Sequence, residues 1–212
     1  MIAYAYVSML LAVIFLVILI LLHFLKPEFN PTWRMISEYE IGRFGWMMRL
    51  AFFCWGASLL SLSIVIRSSL EGSLSGIIGF WWFLLLTIAL LGAGVFKTNA
   101  ITDNTPNPAN TLHALCGAIV ILTFPIAATI VRNGLLQNDA WMAVRGQLTW
   151  GTVLVWLGLV SFFASIMISR VIDPSAGRVG PQVYLGWPNR FMVFTYLIWL
   201  VLIAYGAIQV MG

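Results

Sequence analysis

Six runs of about 20 mostly apolar residues, parted by short polar breaks, leave this chain few ways to fold. They fall at 3–25, 47–66, 74–96, 112–131, 148–168 and 191–211. Each can cross roughly 30 Å of hydrocarbon as a helix, and each must do so as a helix, because the bilayer core offers no water to backbone amides. Barrel strands would alternate in character over about 10 residues, which these continuous runs do not. The spacing predicts an all-α fold: a polytopic bundle of six transmembrane helices forming a single membrane domain over 1–212, with no soluble domain.

Composition agrees. Charged residues make up 8% of the chain and apolar ones 61%, whereas soluble domains carry about 25% charged residues. Two cysteines are too few for a disulfide-stapled secreted scaffold, and burial of Cys54 and Cys116 as small apolar residues is expected. The first run is read as a helix and not as a signal peptide, since no Lys or Arg precedes it and Phe24-Leu25-Lys26-Pro27 follows it in place of a small-residue cleavage pattern.

Basic residues near span ends are retained on the cytoplasmic side. Lys26, Arg34, Arg43, Arg49, Lys97, Arg170, Arg178 and Arg190 flank the first, third and fifth loops, against Arg67, Arg132 and Arg145 on the other side. This asymmetry places the odd-numbered loops in the cytoplasm and both termini outside. The net charge of +4 calls for no nucleic-acid partner, since basic span ends anchor to anionic headgroups.

Trp33, Trp46, Trp141, Trp150 and Trp187 lie near span ends, as an interfacial aromatic belt requires. Small residues recur four apart at Ala57 and Ser61, Ala89 and Ala93, Ala114 and Ala118, and Ser161 and Ser165, and are expected at helix contacts. Pro125 frees the carbonyl of Ile121 for a neighbour such as Thr129, or a water, to satisfy. No Asp, Glu, Lys or Arg lies mid-span, which argues against an ion-coupled pump.

The titratable groups gather at one face instead. His23 closes the first span, Glu28, Glu38 and Glu40 lie in the first loop, Asp103 in the third, His113 opens the fourth span, and Asp173 lies in the fifth loop. Ser37 and Glu40 match a capping box, which leaves Glu38 without a structural duty. Asn110 or Thr111 would cap the fourth span, with His113 in its first turn, where the helix dipole favours neutral imidazole. His113 and Cys116 have a spacing compatible with a metal, but two such residues make no metal site, and none is assigned.

Ser37-Glu38-Tyr39 and Gly45-Trp46-Met47-Met48 entering the second span, Phe96-Lys97-Thr98-Asn99 closing the third, Leu112-His113 with Gly117 opening the fourth, and Gly186 with Asn189-Arg190 opening the sixth form an ordered pattern. In this the chain resembles, over nearly its whole length, the prokaryotic six-helix membrane proteins grouped as domain-of-unknown-function family 998. The family pattern reads Phe-Pro-Thr-Asp where this chain has Phe96-Lys97-Thr98-Asn99, so an amide stands at Asn99 in place of an acid. The resemblance implies the inner membrane of a prokaryote and no particular activity.

Three functional readings follow. In the first, the chain binds or acts on a lipid or other apolar molecule through a polar pocket at the cytoplasmic face. Glu38, Asp103 and His113 would then serve as acid, base or ligand, and Arg34, Asn99, Arg190 and His23 would hold the ligand, the arginines gripping a phosphate. In the second it is a non-catalytic accessory subunit packed against a membrane-protein partner or a second copy, and in the third a transporter of an uncharged solute. A haem held by His23 and His113 is a further arrangement that histidine placement alone does not imply.

Overall fold

The computed structural model describes residues 1–174 and 180–212; Arg178, counted above with the fifth loop, lies outside the described residues. Six helices form: α1 (Ile2–Leu25), α2 (Gly45–Ser69), α3 (Leu74–Val95), α4 (Pro108–Leu135), α5 (Arg145–Ile172) and α6 (Gly186–Met211). All six are long and apolar enough to cross a membrane. Short 3-10 turns at Ile36–Glu40 and Asp139–Val144 precede α2 and α5, and no strand or separate soluble domain occurs among the described residues.

Helices α2 and α6 form the centre, with 67% and 61% of their most apolar windows buried, against 33% for α4 and 28% for α5. The outer helices turn large apolar side chains such as Leu122, Trp156 and Met167 outward, as lipid contact requires. Four aromatic rings lock α3, α4 and α6 together. Phe124 stacks on Tyr196 at 4.4 Å and Phe83 on Trp199 at 5.6 Å, and the Trp199 indole donates to the Thr152 hydroxyl at 3.0 Å.

Close approach follows the small residues only in part. Ala89 and Ala93 are buried on α3 as expected. A Cβ at Gly151 would lie 2.8 Å from Leu202, and one at Gly158 would meet Thr195, so α5 and α6 touch through glycines. Ala114 and Ala118 line a cavity. The Ser161 and Ser165 hydroxyls donate to carbonyls of their own helix.

Three further local expectations are corrected. Helix α4 begins at Pro108 with Asn107 as its cap, because Asn110 is engaged by Thr98 and Asn99, so His113 stands in the second turn. The Ile121 carbonyl freed by Pro125 is met by the Tyr196 hydroxyl at 2.8 Å, while Thr129 donates to Pro125. Trp141 is buried against Gly206 of α6, unlike the exposed Trp46, Trp150 and Trp187.

Candidate functional site

The odd-numbered loops converge at one end of the bundle, and Arg190 is the hub. The sequence Gly186-x-x-Asn189-Arg190 puts all three residues on one side of the first turns of α6. Gly186 admits the first loop at backbone distance: its amide donates to Thr32 at 3.0 Å, and a Cβ there would meet the carbonyls of Pro31 and Arg34. The Arg190 guanidinium, 6% exposed, donates from Nε to His23 Nε2 at 2.8 Å, from Nη1 to the carbonyls of Arg34 at 2.6 Å and Gly186 at 2.9 Å, and from Nη2 to the Tyr39 hydroxyl at 3.0 Å. This cation grips neutral acceptors of the protein itself. The acceptors named here are all uncharged.

His23 is fixed by the same hub. Nδ1 lies 2.7 Å from the Leu19 carbonyl and Nε2 accepts from Arg190, so the proton sits on Nδ1 and both ring nitrogens are occupied. Neither is left to ligate iron. Lys26, 1% exposed, donates to the carbonyls of Tyr39 and Ile41, and burial pulls its ammonium below the ordinary lysine range.

Glu38 has the structural duty that capping logic assigned to Glu40. Its Oε1 accepts from Arg34 at 2.5 Å and from the Ile101 amide at 2.8 Å, and its Oε2 accepts from the Met35 amide at 3.0 Å. It thereby ties the first loop to the third. Arg34 pairs with Glu38 and lies over the Trp33 ring at 4.2 Å. Asn99 accepts from Asn107 at 2.8 Å and so knots the third loop. Asp103 is exposed; its turn with Thr105 holds its carboxyl below the usual range, and it joins none of the groups above.

Glu40 lies on the inner side of the same turn, 7% exposed. Its Oε2 accepts from the Thr98 amide at 3.3 Å and stands 3.9 Å from His113 Nδ1. Its Oε1 is 3.6 Å from Arg49 Nε and has no hydrogen-bond partner. Burial pushes the Glu40 carboxyl up, against the weaker opposing pull of the Thr98 amide, Arg49 and Lys97.

His113, 6% exposed, turns Nδ1 to the α3 terminus, 3.0 Å from the Ala93 carbonyl and 2.9 Å from that of Phe96. The proton is therefore on Nδ1, and Nε2 is the lone pair the ring offers elsewhere. His113 lines an apolar cavity of about 360 Å³ enclosed by α2, α3, α4, α5 and α6. At the same end stands Asn189, 2% exposed; its Oδ1 accepts from the Ile36 amide at 3.1 Å, which orients Nδ2 as a donor with no partner of its own. Ser37 adds a hydroxyl, while Trp55 and Phe162 line the apolar body. Leu122 and Phe163, 48% and 42% exposed, carry the lining out to the lipid-facing surface between α4 and α5. A second, polar cavity of about 380 Å³ lies on the other side of Glu40 and Thr98, lined also by Trp46, Arg49 and Lys97.

Of the residues singled out from sequence, His23, Arg34, Glu38 and Arg190 come together as one bonded cluster, Asn99 stays within the third loop, and His113 faces the cavity. Glu40 and Asn189 were missed. The spacing that sets Asn189 beside Arg190 on one side of α6 is the signal that marks it. Among the described residues no group of three or more His, Cys, Asp or Glu side chains is placed to hold a metal.

No curated protein and no solved structure matches the chain. The family described as "Protein of unknown function (DUF998)" matches residues 9–206 of the 212. With that match spanning all six helices, and with the motifs that open α2, α4 and α6 building the buried cluster just described, the chain belongs to the DUF998 family of membrane-spanning helical bundles.

Proposed function

We propose that this protein takes an amphiphilic molecule from the bilayer into the cavity between α2 and α6, with the tail against the apolar walls and the polar head at Ser37, His113 and Asn189. One observation carries the reading: His113 and Asn189 each spend one polar atom on the protein and line the end of an apolar cavity of about 360 Å³, which Trp55 lines as well with a buried indole Nε1 that has no partner. Buried polar atoms left unsatisfied cost about 1–3 kcal/mol each, and a head group presenting the complementary atoms removes that cost. The volume falls within the range of small-molecule sites, about 300–1,000 Å³. The opening between α4 and α5 supports entry from lipid.

The test is lipid mass spectrometry on gently extracted full-length chain, comparing wild type with Ala118→Trp, which fills the cavity. An amphiphile that accompanies the wild type and is lost from a variant of unchanged thermal stability is the expected result. Equal lipid content in both proteins would defeat the reading and favour an accessory role.

A further inference from the structure

We infer that the head group bound at His113 is a carboxylic acid, which gives up its proton to His113 Nε2 and is held as a carboxylate beside an imidazolium that Glu40 supports from behind. This rests on the cavity reading above and names its ligand class.

Among the described residues that line the cavity, His113 is the one imidazole, with Nδ1 held by backbone carbonyls, and Asn189, Ser37, Thr98 and the unpartnered Trp55 Nε1 are the polar groups near it. No Arg or Lys among the described residues lines the cavity. The guanidinium of Arg190 grips His23, Tyr39 and backbone carbonyls, and Arg49 and Lys97 line the second cavity. A phosphate monoester or diester keeps its charge in the bilayer and would meet no fixed cation here. An alcohol satisfies the hydrogen bonds, but its proton is far beyond the reach of imidazole, whose ordinary value is about 6.5 against about 4 for a carboxyl. Only an acid makes use of the Glu40 carboxylate lying 3.9 Å from Nδ1.

The acid enters from lipid in its neutral form. Its O–H bond then breaks and the N–H bond at Nε2 forms, while the electron pair stays on the carboxylate. Nothing is oxidised or reduced. The imidazolium that results has the ligand carboxylate on one side and Glu40 on the other. Glu40 is faced by Arg49 from α2, Lys97 and Thr98 from the third loop and His113 from α4, and Lys26 is bonded to carbonyls of its own turn. None of these donates to Oε1. Glu40 is thus a buried carboxyl with an unused acceptor, which burial biases toward its protonated form, and the imidazolium is the cation that would favour its charge.

Three probes with one tail separate the head groups: carboxyl-labelled dodecanoic acid, dodecanol and dodecyl phosphate, each offered to full-length protein in lipid nanodiscs. Wild type should retain the acid at least about tenfold over the other two, since a charge-assisted bond adds about 1.5 kcal/mol or more over a neutral one. The carbon signal of the bound acid should titrate below that of the same acid in empty nanodiscs. In Glu40→Gln the midpoint should rise by about one pH unit while the acid is still retained, because an opposite charge at this range moves a titration by about 1–3 units. A structural role for Glu40 would move no ligand titration. Equal retention of acid and alcohol, or a midpoint unchanged from empty nanodiscs in the wild type, would overturn the acid assignment. That wild-type titration decides the matter even where the variant does not fold. If Ala118→Trp expels all retained probes, the cavity reading stands alone; if it expels none, that reading fails as well.

Discussion

Glu38 and Glu40 are two residues apart on one turn, and Asn189 and Arg190 are adjacent on one helix, yet the two members of each pair belong to opposite kinds of environment. Around Arg190 and Glu38 the donors and acceptors are matched: guanidinium to imidazole, phenol and carbonyls, carboxylate to guanidinium and two amides. Around Glu40, His113 and Asn189, equally deep, Glu40 Oε1 is left over, and His113 and Asn189 line the cavity while each bonds the protein through one polar atom. Depth of burial therefore does not separate the two regions, and each has an orphaned atom, Arg34 Nε in the first and Glu40 Oε1 in the second; the cavity beside the second does separate them. The first region holds three loops to one another. The second borders the apolar cavity.

The sharpest way to break this contrast is Arg190→Lys. A lysine cannot reproduce the planar fork, and several buried acceptors would be stranded, so unfolding in detergent should show a loss of about 3 kcal/mol. Simple interfacial anchoring would leave this variant unharmed, and a loss below about 0.5 kcal/mol would mean that the cluster is not what ties the loops together.

Next in size is a pair of identical changes in different surroundings. Ala89→Leu overpacks a filled interface and should cost about 1–3 kcal/mol, whereas Ala118→Leu enters open volume and should cost less than about 0.5 kcal/mol. Equal costs measured by thermal unfolding would show that Ala118 faces a packed neighbour and not a cavity.

The smallest effect is a change of slope. Because burial holds the Glu40 carboxyl above its ordinary value, the folded chain binds that proton more tightly than the unfolded chain. The stability it contributes is complete below about 4.3 and is lost as pH rises through the raised folded value. Wild type should therefore weaken relative to Glu40→Gln as pH climbs above that point, and the two melting curves should converge in acid. Parallel curves would mean that Glu40 is as well satisfied as Glu38.

Helix number and placement were legible because apolar run length is a one-dimensional property: every span lies within a few residues of its helix. The face shared by His23, Glu38, His113 and Arg190 was legible too, since alternate loops of a six-span bundle must emerge together. The roles of individual side chains were not. Ser37 and Glu40 fit a capping pattern, but Glu38 caps Met35, because Glu40 is drawn inward by the Thr98 amide, a contact across 58 residues. Asn110 fits a helix cap and is taken by the third loop, which passes the capping to Asn107. The cavity depends on α4 and α5 parting, which no run of residues encodes by itself.

The bond from Tyr196 to the Ile121 carbonyl, which meets the acceptor freed by Pro125, also marks a length. Asn189 and Tyr196 stand at opposite ends of the same cavity wall, seven residues apart on α6, or about 10 Å at 1.5 Å per residue. That is roughly a third of the hydrocarbon thickness. At the Tyr196 end its ring stacks on that of Phe124 at 4.4 Å. Under the proposed binding, a short tail would lie wholly inside, whereas a longer one would have to turn sideways between Leu122 and Phe163 and remain half in the bilayer, so that this wall would sort occupants by reach.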